Sequence, residues 1–378
     1  MFICRYGVLL SFLCYGCFHA SGSRLKCDSG VDTLGECTPF KAGAIVLNSD
    51  LDEVKPIAAK SWGGFVTMDG LLIGAYDEQW LGAYSLKTGQ YVWWLKLTSP
   101  VSSQINMIGS WVVFGLRDGR ILKVEGTTGE KVWESSIGFF SNQEFVLSGK
   151  KLLIPVINNR LFAVDFISGK KVWFYEGGSS DGLGIEGLPR PRLWGDKVVI
   201  GTTHGALHIV DLESGNLLAK VDMPSAAARF KDVVGDIGME SSDLLFTRYD
   251  GEVSRVSLAS GRPLEQWRRA LPGISVSRYV QGVYYIGCIN GKVYALDGSS
   301  GDILWQTQTL ESVSSFVVGA NSVLVAGSEG YVSSLSASSG KLQWFDHLDA
   351  NLDSRPVRFG DVIYYASGLK VLYGYKFL

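Results

Sequence analysis

The chain has 378 residues, with 35 lysines and arginines against 37 aspartates and glutamates, and a formal net charge of −2. That balance supplies no cationic excess for phosphates and excludes a nucleic-acid partner. The 46 glycines, 12% aromatics and short Val, Ile and Leu runs point to many short strands joined by tight turns. Length alone favours two or three domains, but no charged or Pro-rich linker divides the chain, and closed all-β architectures often exceed that prior.

The N-terminus, residues 1–22, reads as an export signal. Arg5 supplies a minimal charged region, and Val8, Leu9, Leu10, Phe12 and Leu13 form an apolar core too short to span a membrane as a mature helix. Two cleavage sites fit. Cys14-Tyr15-Gly16-Cys17 resembles a bacterial lipobox and makes Cys17 a lipidation candidate, with cleavage before it; Ala20-Ser21-Gly22 offers small residues for ordinary cleavage. Residues 23–43 read as a linker. Within it Cys27 and Cys37 have two readings, a disulfide in an oxidising compartment or two free thiols. Cys288, in an apolar strand, reads as a small core residue.

From residue 44 to 378 one pattern repeats. Its clearest copy is Asn290-Gly291-Lys292-Val293-Tyr294-Ala295-Leu296-Asp297, followed by Ser300-Gly301-Asp302-Ile303-Leu304-Trp305. Other copies lie at Trp80 to Trp93, Gly119 to Trp133, Asn159 to Trp173 and Gly330 to Trp344. Two are degenerate: Gly205 to Ala219 has lost the Trp, and after Gly251 it is displaced to Trp267. The second-turn glycines Gly89, Gly129, Gly169, Gly215, Gly261, Gly301 and Gly340 recur about every forty residues, the period of a four-stranded propeller blade.

Within each repeat an apolar run precedes a turn pair such as Asp118-Gly119 or Asn290-Gly291, which favours a two-residue hairpin. The next strand carries aliphatics three apart, as in Ile121 and Val124, or Val293 and Leu296. An odd offset puts them on opposite faces of the strand, so both faces must be buried, as when a blade is sandwiched between two others. The recurrent Trp reads as blade-to-blade packing. Eight apolar second strands are present, but only seven full turns from Gly to Trp. The outer strand lacking after Leu369 to Phe377 is supplied by Ala44-Ile45-Val46-Leu47, which closes the ring and removes its open edges. The predicted fold is therefore an all-β, eight-bladed β-propeller.

These copies, best in Tyr294-Ala295-Leu296-Asp297 and Phe162-Ala163-Val164-Asp165, resemble the repeats named for pyrroloquinoline quinone enzymes. Within that superfamily the chain after the leader resembles the BamB family. The resemblance implies a non-enzymatic scaffold of the outer-membrane β-barrel assembly machinery, on the periplasmic side of the bacterial outer membrane. Its implied partners are a BamA-like insertase and incoming unfolded outer-membrane protein chains, its only membrane contact a lipid anchor, and its cofactor none. Leu183-Gly184-Ile185-Glu186-Gly187 and Arg229-Phe230-Lys231-Asp232-Val233 stand where the family contacts BamA. The partner-binding candidates are Leu183, Ile185, Glu186, Phe230 and Asp232. The family commonly carries Arg beside Leu where this chain has Ile185 and Glu186. The alternative is a quinone-binding, dehydrogenase-like or ligand-sensing propeller. Quinone dehydrogenases are longer and usually carry an adjacent Cys-Cys pair, which this chain does not.

Two repeats are longer than the rest, Gly169 to Gly215 and Gly215 to Gly261, and in both the extra residues precede the next blade. Such connections in adjacent blades emerge on one face. Leu183, Ile185, Leu188, Phe230, Val233 and Val234 would form an apolar centre, with Arg190, Arg192, Arg229, Lys231 and Asp232 as its charged rim, the anatomy of a protein interface. Other motifs carry no catalytic or metal reading. Gly182 to Gly187 matches G-x-G-x-x-G without the strand and helix a dinucleotide requires. His204 and His208 read as turn and strand residues. Asp165, Asp211 and Asp297 recur at strand-to-turn junctions, where short carboxylates bond turn N–H groups.

Overall fold

The computed structural model describes residues 41–46, 64–77, 79–88, 90–178, 189–222, 230–348, 352, 356–359, 362–366 and 371–376. They form eight four-stranded antiparallel sheets. Seven are consecutive: blade 1 (65–96), blade 2 (106–136), blade 3 (146–176), blade 4 (192–221), blade 5 (233–270), blade 6 (274–308) and blade 7 (313–347). Blade 8 combines Val357–Phe359, Val362–Ala366 and Val371–Lys376 with Lys41–Val46 as its outer strand. That last pairing, from Lys41 opposite Tyr375 to Val46 opposite Val371, closes the ring as the strand count required, starting at Lys41 rather than Ala44.

The apolar core lies between successive blades. One cluster joins Ile73, Leu81 and Trp93 of blade 1 to Val112, Phe114 and Val124 of blade 2; the next joins Val113, Ile121 and Trp133 to Leu152, Ile154 and Val164 of blade 3. Ile121 and Val124 are both fully buried, as are Val293 and Leu296, so the middle strands do bury both faces. Outer strands alternate instead: Lys131–Ser136 buries Trp133 and exposes its neighbours.

The repeated Trp docks on the following blade. Indole Nε1 of Trp93, Trp133, Trp173, Trp267 and Trp305 donates to the carbonyls of Gly126, Phe166, Leu212, Gly298 and Ala337, at 2.9–3.2 Å. Each ring lies flat against a second-turn glycine. A Cβ on Gly129, Gly169, Gly215, Gly301 or Gly340 would stand 2.4–2.8 Å from ring carbons. The repeat therefore conserves space as well as a turn: the glycine of one blade is the floor for the Trp of the blade before. Trp267 keeps the same role despite its displacement, because it faces Arg255 across the ladder as Trp305 faces Ala295. Trp344, with no such glycine among the described residues, stacks on Tyr375 at 5.5 Å.

Candidate partner-binding face

Middle-hairpin turns and blade-to-blade connections share one face of the ring. Ile137 N–H donates to Gly119, Leu271 to Gly251, Thr309 to Gly291 and Leu348 to Gly330, tying each exit from an outer strand to its own blade's hairpin. The described ends of the two long connections, 177–178 with 189–191 and 222 with 230–232, therefore lie on this face.

The first leaves the junction of blades 3 and 4. Its root is held by Asn159, 1% exposed and with φ 61° and 57° at Asn158 and itself. The Asn159 carbonyl accepts from Gly177 N at 2.9 Å, its amide donates to the Gly178 carbonyl (3.2 Å) and the Thr203 hydroxyl (3.0 Å), and its Oδ1 accepts from Thr203 N at 2.8 Å. His204 lies in the adjoining turn, 3.3 Å from the same amide. Beneath it, Tyr175 Oη and His208 Nδ1 share a hydrogen bond of 2.8 Å. Burial, and then the charge of Lys220, depress the His208 pKa to about 4, leaving a neutral strand residue. Where the connection rejoins blade 4, Arg190 pairs with Glu144 at 2.9 Å. Leu183, Ile185, Glu186 and Leu188, and the whole Gly182 to Gly187 motif, lie outside the described residues.

The second connection leaves the junction of blades 4 and 5. Phe230 is 48% exposed and takes φ 56°. Asp232, expected on the charged rim, is 2% exposed, and Val233 and Val234, expected in the apolar patch, are buried in the inner strand of blade 5. The reason is local pairing. Asp232 O accepts from Tyr249 N at 2.9 Å and Val233 N donates to Thr202 O at 3.0 Å, which draws residues 232–234 into the ring. Of this connection's candidates Phe230 therefore faces outward and Asp232 stands behind it. Two apolar residues on the same face were not singled out from the sequence: Ile289 (52% exposed), in a hairpin turn, and Leu310 (63%), in the connection from blade 6 to blade 7. Their only signal is an aliphatic residue inside a turn, which the repeat does not call for.

Cys17, Cys27 and Cys37 lie outside the described residues. Cys288 is fully buried, and burial raises its thiol to about 11, an inert core residue as expected. The recurrent aspartates serve their turns. Asp165 Oδ1 accepts from Ser168 N and Oγ at 2.7 Å, Asp211 from Ser214, and Asp297 from Ser299 and Ser300. These bonds, the serine hydroxyl's first, hold all three below the ordinary carboxylate range. Among the described residues no group of three or more His, Cys, Asp or Glu could hold a metal ion. The inner strands enclose a central channel of about 1030 Å³.

A family model described as "Outer membrane protein assembly factor BamB" matches residues 77–307 and 265–374. The chain belongs to the BamB family. Curated BamB relatives include those of Alkalilimnicola ehrlichii, 27% identical over 49% of this chain and 50% of that protein, and of Escherichia coli K12, 26% identical over 50% and 48%. The chain thus spans about half the length of these relatives. BamB of Burkholderia pseudomallei is 23% identical over 77% of both chains. Among solved structures, BamB from Moraxella catarrhalis superposes with a TM-score of 0.76 at 18% identity, over 90% of this chain and 100% of that one. A quinohemoprotein alcohol dehydrogenase from Pseudomonas putida HK5 reaches 0.65 at 11% identity, over 82% and 73%, and shares the propeller fold alone. The BamB family is one of outer-membrane protein assembly factors.

Proposed function

We propose that this BamB-family chain is a non-enzymatic scaffold that binds a BamA-type insertase and so aids folding and insertion of outer-membrane proteins. It works from the periplasmic side of the outer membrane, with Cys17 as the candidate lipid anchor. The family match across residues 77–374 carries this reading. The face supports it: the two long connections belong to adjacent junctions of the ring, and Phe230, at the described end of the second, presents an exposed aromatic ring. Leu183, Ile185, Glu186 and Phe230 make the contact, and buried Asp232 holds the second connection in place from behind. A rigid ring that orients a partner needs no reacting group, and the repeated carboxylates are already engaged by their turns.

The test combines Leu183→Ala, Ile185→Ala and Phe230→Ala in one protein, with folding checked by circular dichroism, and measures binding to the insertase's soluble periplasmic domains. Central interface residues each contribute about 2 kcal/mol, so affinity should fall at least about thirtyfold. Full retention of binding would place the contact elsewhere on the ring.

A further inference from the structure

The inner strands of blades 6 and 7 each carry one residue with no opposite number, Ser275 and Ser314. In both the hydroxyl is used locally. Ser275 Oγ donates to the carbonyls of Gly287 (3.1 Å) and Val313 (2.6 Å), and Ser314 Oγ to Ala326 (3.0 Å). Blade 5 is built differently. Val234 faces Thr247 and Gly238 faces Leu245, so Gly235, Asp236 and Ile237 together stand against the single Phe246. Gly235 takes φ 72°, and any Cβ there would lie 2.1 Å from the Ser277 hydroxyl. Ile237 is fully buried in the core, and Asp236 is left on the channel wall.

The bulge is held from the neighbouring blade. Asp236 N donates to Ser277 Oγ at 3.1 Å, and Asp236 O accepts from Tyr284 Oη at 2.7 Å. Those two hydroxyls lie 3.2 Å apart, and Thr247 Oγ1 lies 3.1 Å from Ser277 Oγ while donating to Val234 O. Thr247, Ser277 and Tyr284 are all buried. A buried network with its partners satisfied fixes one geometry, and a bulge re-aims a side chain. The network grips the backbone of Val234 and Asp236, not the Asp236 side chain. The carboxylate makes no hydrogen bond or ion pair among the described residues, whereas the channel's Glu144 is neutralised by Arg190. Arg278, next to Ser277, lines the same channel without pairing to Asp236.

We propose that Asp236, fixed in the channel wall by the 235–237 bulge, is the anionic anchor of a binding site for a cationic group. The group is the ammonium or guanidinium of a small amine or of a basic side chain entering the channel. A pre-positioned carboxylate in a confined cavity favours such a group through a charge-assisted hydrogen bond. Arg278, of like charge to the ligand, opposes it.

The experiment uses the full chain, isotope-labelled, and follows amide shifts on titration. The probes are spermidine, acetyl-Gly-Lys-Gly-amide and the neutral acetyl-Gly-norleucine-Gly-amide. Saturable shifts at Gly235, Asp236, Ile237 and Ser277 are expected with a cationic probe and not with the neutral one. Response to spermidine alone assigns a small amine, and response to the lysine peptide assigns a basic side chain. Asp236→Asn should weaken binding about tenfold, in the range of one charge-assisted bond, and Arg278→Gln should tighten it. Equal shifts with the neutral probe, no saturable shift with either cation, or unchanged binding by Asp236→Asn would overturn the proposal. If Asp236→Asn does not fold, unchanged affinity in Arg278→Gln does so.

Discussion

The junction of blades 3 and 4 and the junction of blades 4 and 5 occupy equivalent places, each has an apolar cluster between its blades, and they differ in what supplements it. The first adds aromatic docking and an ion pair, Lys151 with Glu213 at 2.5 Å. Trp173 lies on Gly215 and donates to Leu212, while Tyr175 meets His208. At the second, Ala219 stands where a Trp is due, and Gly261 has no atom within 4 Å of where its Cβ would be. An apolar cluster still joins the two blades there, Val199, Leu207, Ile209 and Val221 against Val233, Ile237, Leu244 and Phe246. At the other end of blade 5 an ion cluster within that blade leans on blade 4. Arg248, 1% exposed, pairs with Asp250 at 3.2 Å and with Glu252, and its Cδ would stand 3.0 Å from a Cβ on Gly205 of blade 4. Each junction also roots one of the two long connections. The repeat thus prescribes a docking that one junction can lose, provided other contacts join the same two blades.

The largest effect that would sharpen this contrast comes from Arg248. Removing one partner of a buried ionic cluster strands the remaining charges. Arg248→Met should therefore lower stability by about 3–5 kcal/mol, measured by urea unfolding. Arg268→Met, which breaks the partly exposed pair of Arg268 with the same Glu252, should cost about 1 kcal/mol or less. Equal losses from the two variants would mean that the buried Arg248 cluster contributes no more than the partly exposed pair.

The next effect lies in the junction of blades 3 and 4 and depends on pH. The folded state holds His208 at about 4, below the ordinary 6.5, because its ring is buried. The unfolded chain therefore takes up a proton that the folded chain resists. This contribution is full above pH 6.5, declines as pH falls, and is lost below pH 4. Its size is roughly 3 kcal/mol. His208→Gln keeps a polar partner for Tyr175 but cannot titrate, so its stability should fall less between pH 6.5 and 4 in urea unfolding. Identical slopes for variant and parent would remove His208 as the cause.

The ring and its closure were legible because they rest on spacing. Turn glycines, the recurrent Trp and the unmatched strand count survive without any knowledge of contacts. Even Trp267 could be found; only its unchanged place in the ladder could not, since that depends on how the turn absorbs the residues around Arg262 and Pro263. The candidate face was legible less completely. Two repeats were visibly long, but Asp232, Val233 and Val234 read as surface and are buried, because backbone pairing with Thr202 and Tyr249 decides the matter. Arg248 gave no sign of burial, as an arginine beside a turn is ordinarily solvated. The Gly235-Asp236 bulge was hidden for a related reason. Nothing in its letters marks an insertion, and only the ladder shows three residues standing against one.

The smallest effect isolates the aromatic docking itself. Gly215 and Gly261 occupy the same turn and share φ 76°, so alanine meets the same backbone strain at both. That strain is about 1–2 kcal/mol for an L-residue in the left-handed region. The two sites differ in what the new methyl group would touch. At Gly215 it would stand 2.6 Å from the Trp173 ring, which is itself held by its bond to Leu212. At Gly261 it would enter open space, since Ala219 leaves no ring to meet it. Subtracting the two losses cancels the strain and leaves the overpacking, about 1–3 kcal/mol. Gly215→Ala should therefore be the more destabilising by that amount in urea unfolding. In a Trp173→Ala background Gly215→Ala should cost less than in the parent, because the ring that is struck is gone. Equal losses at the two glycines would mean that they serve the turn alone and that the Trp gains nothing from its floor.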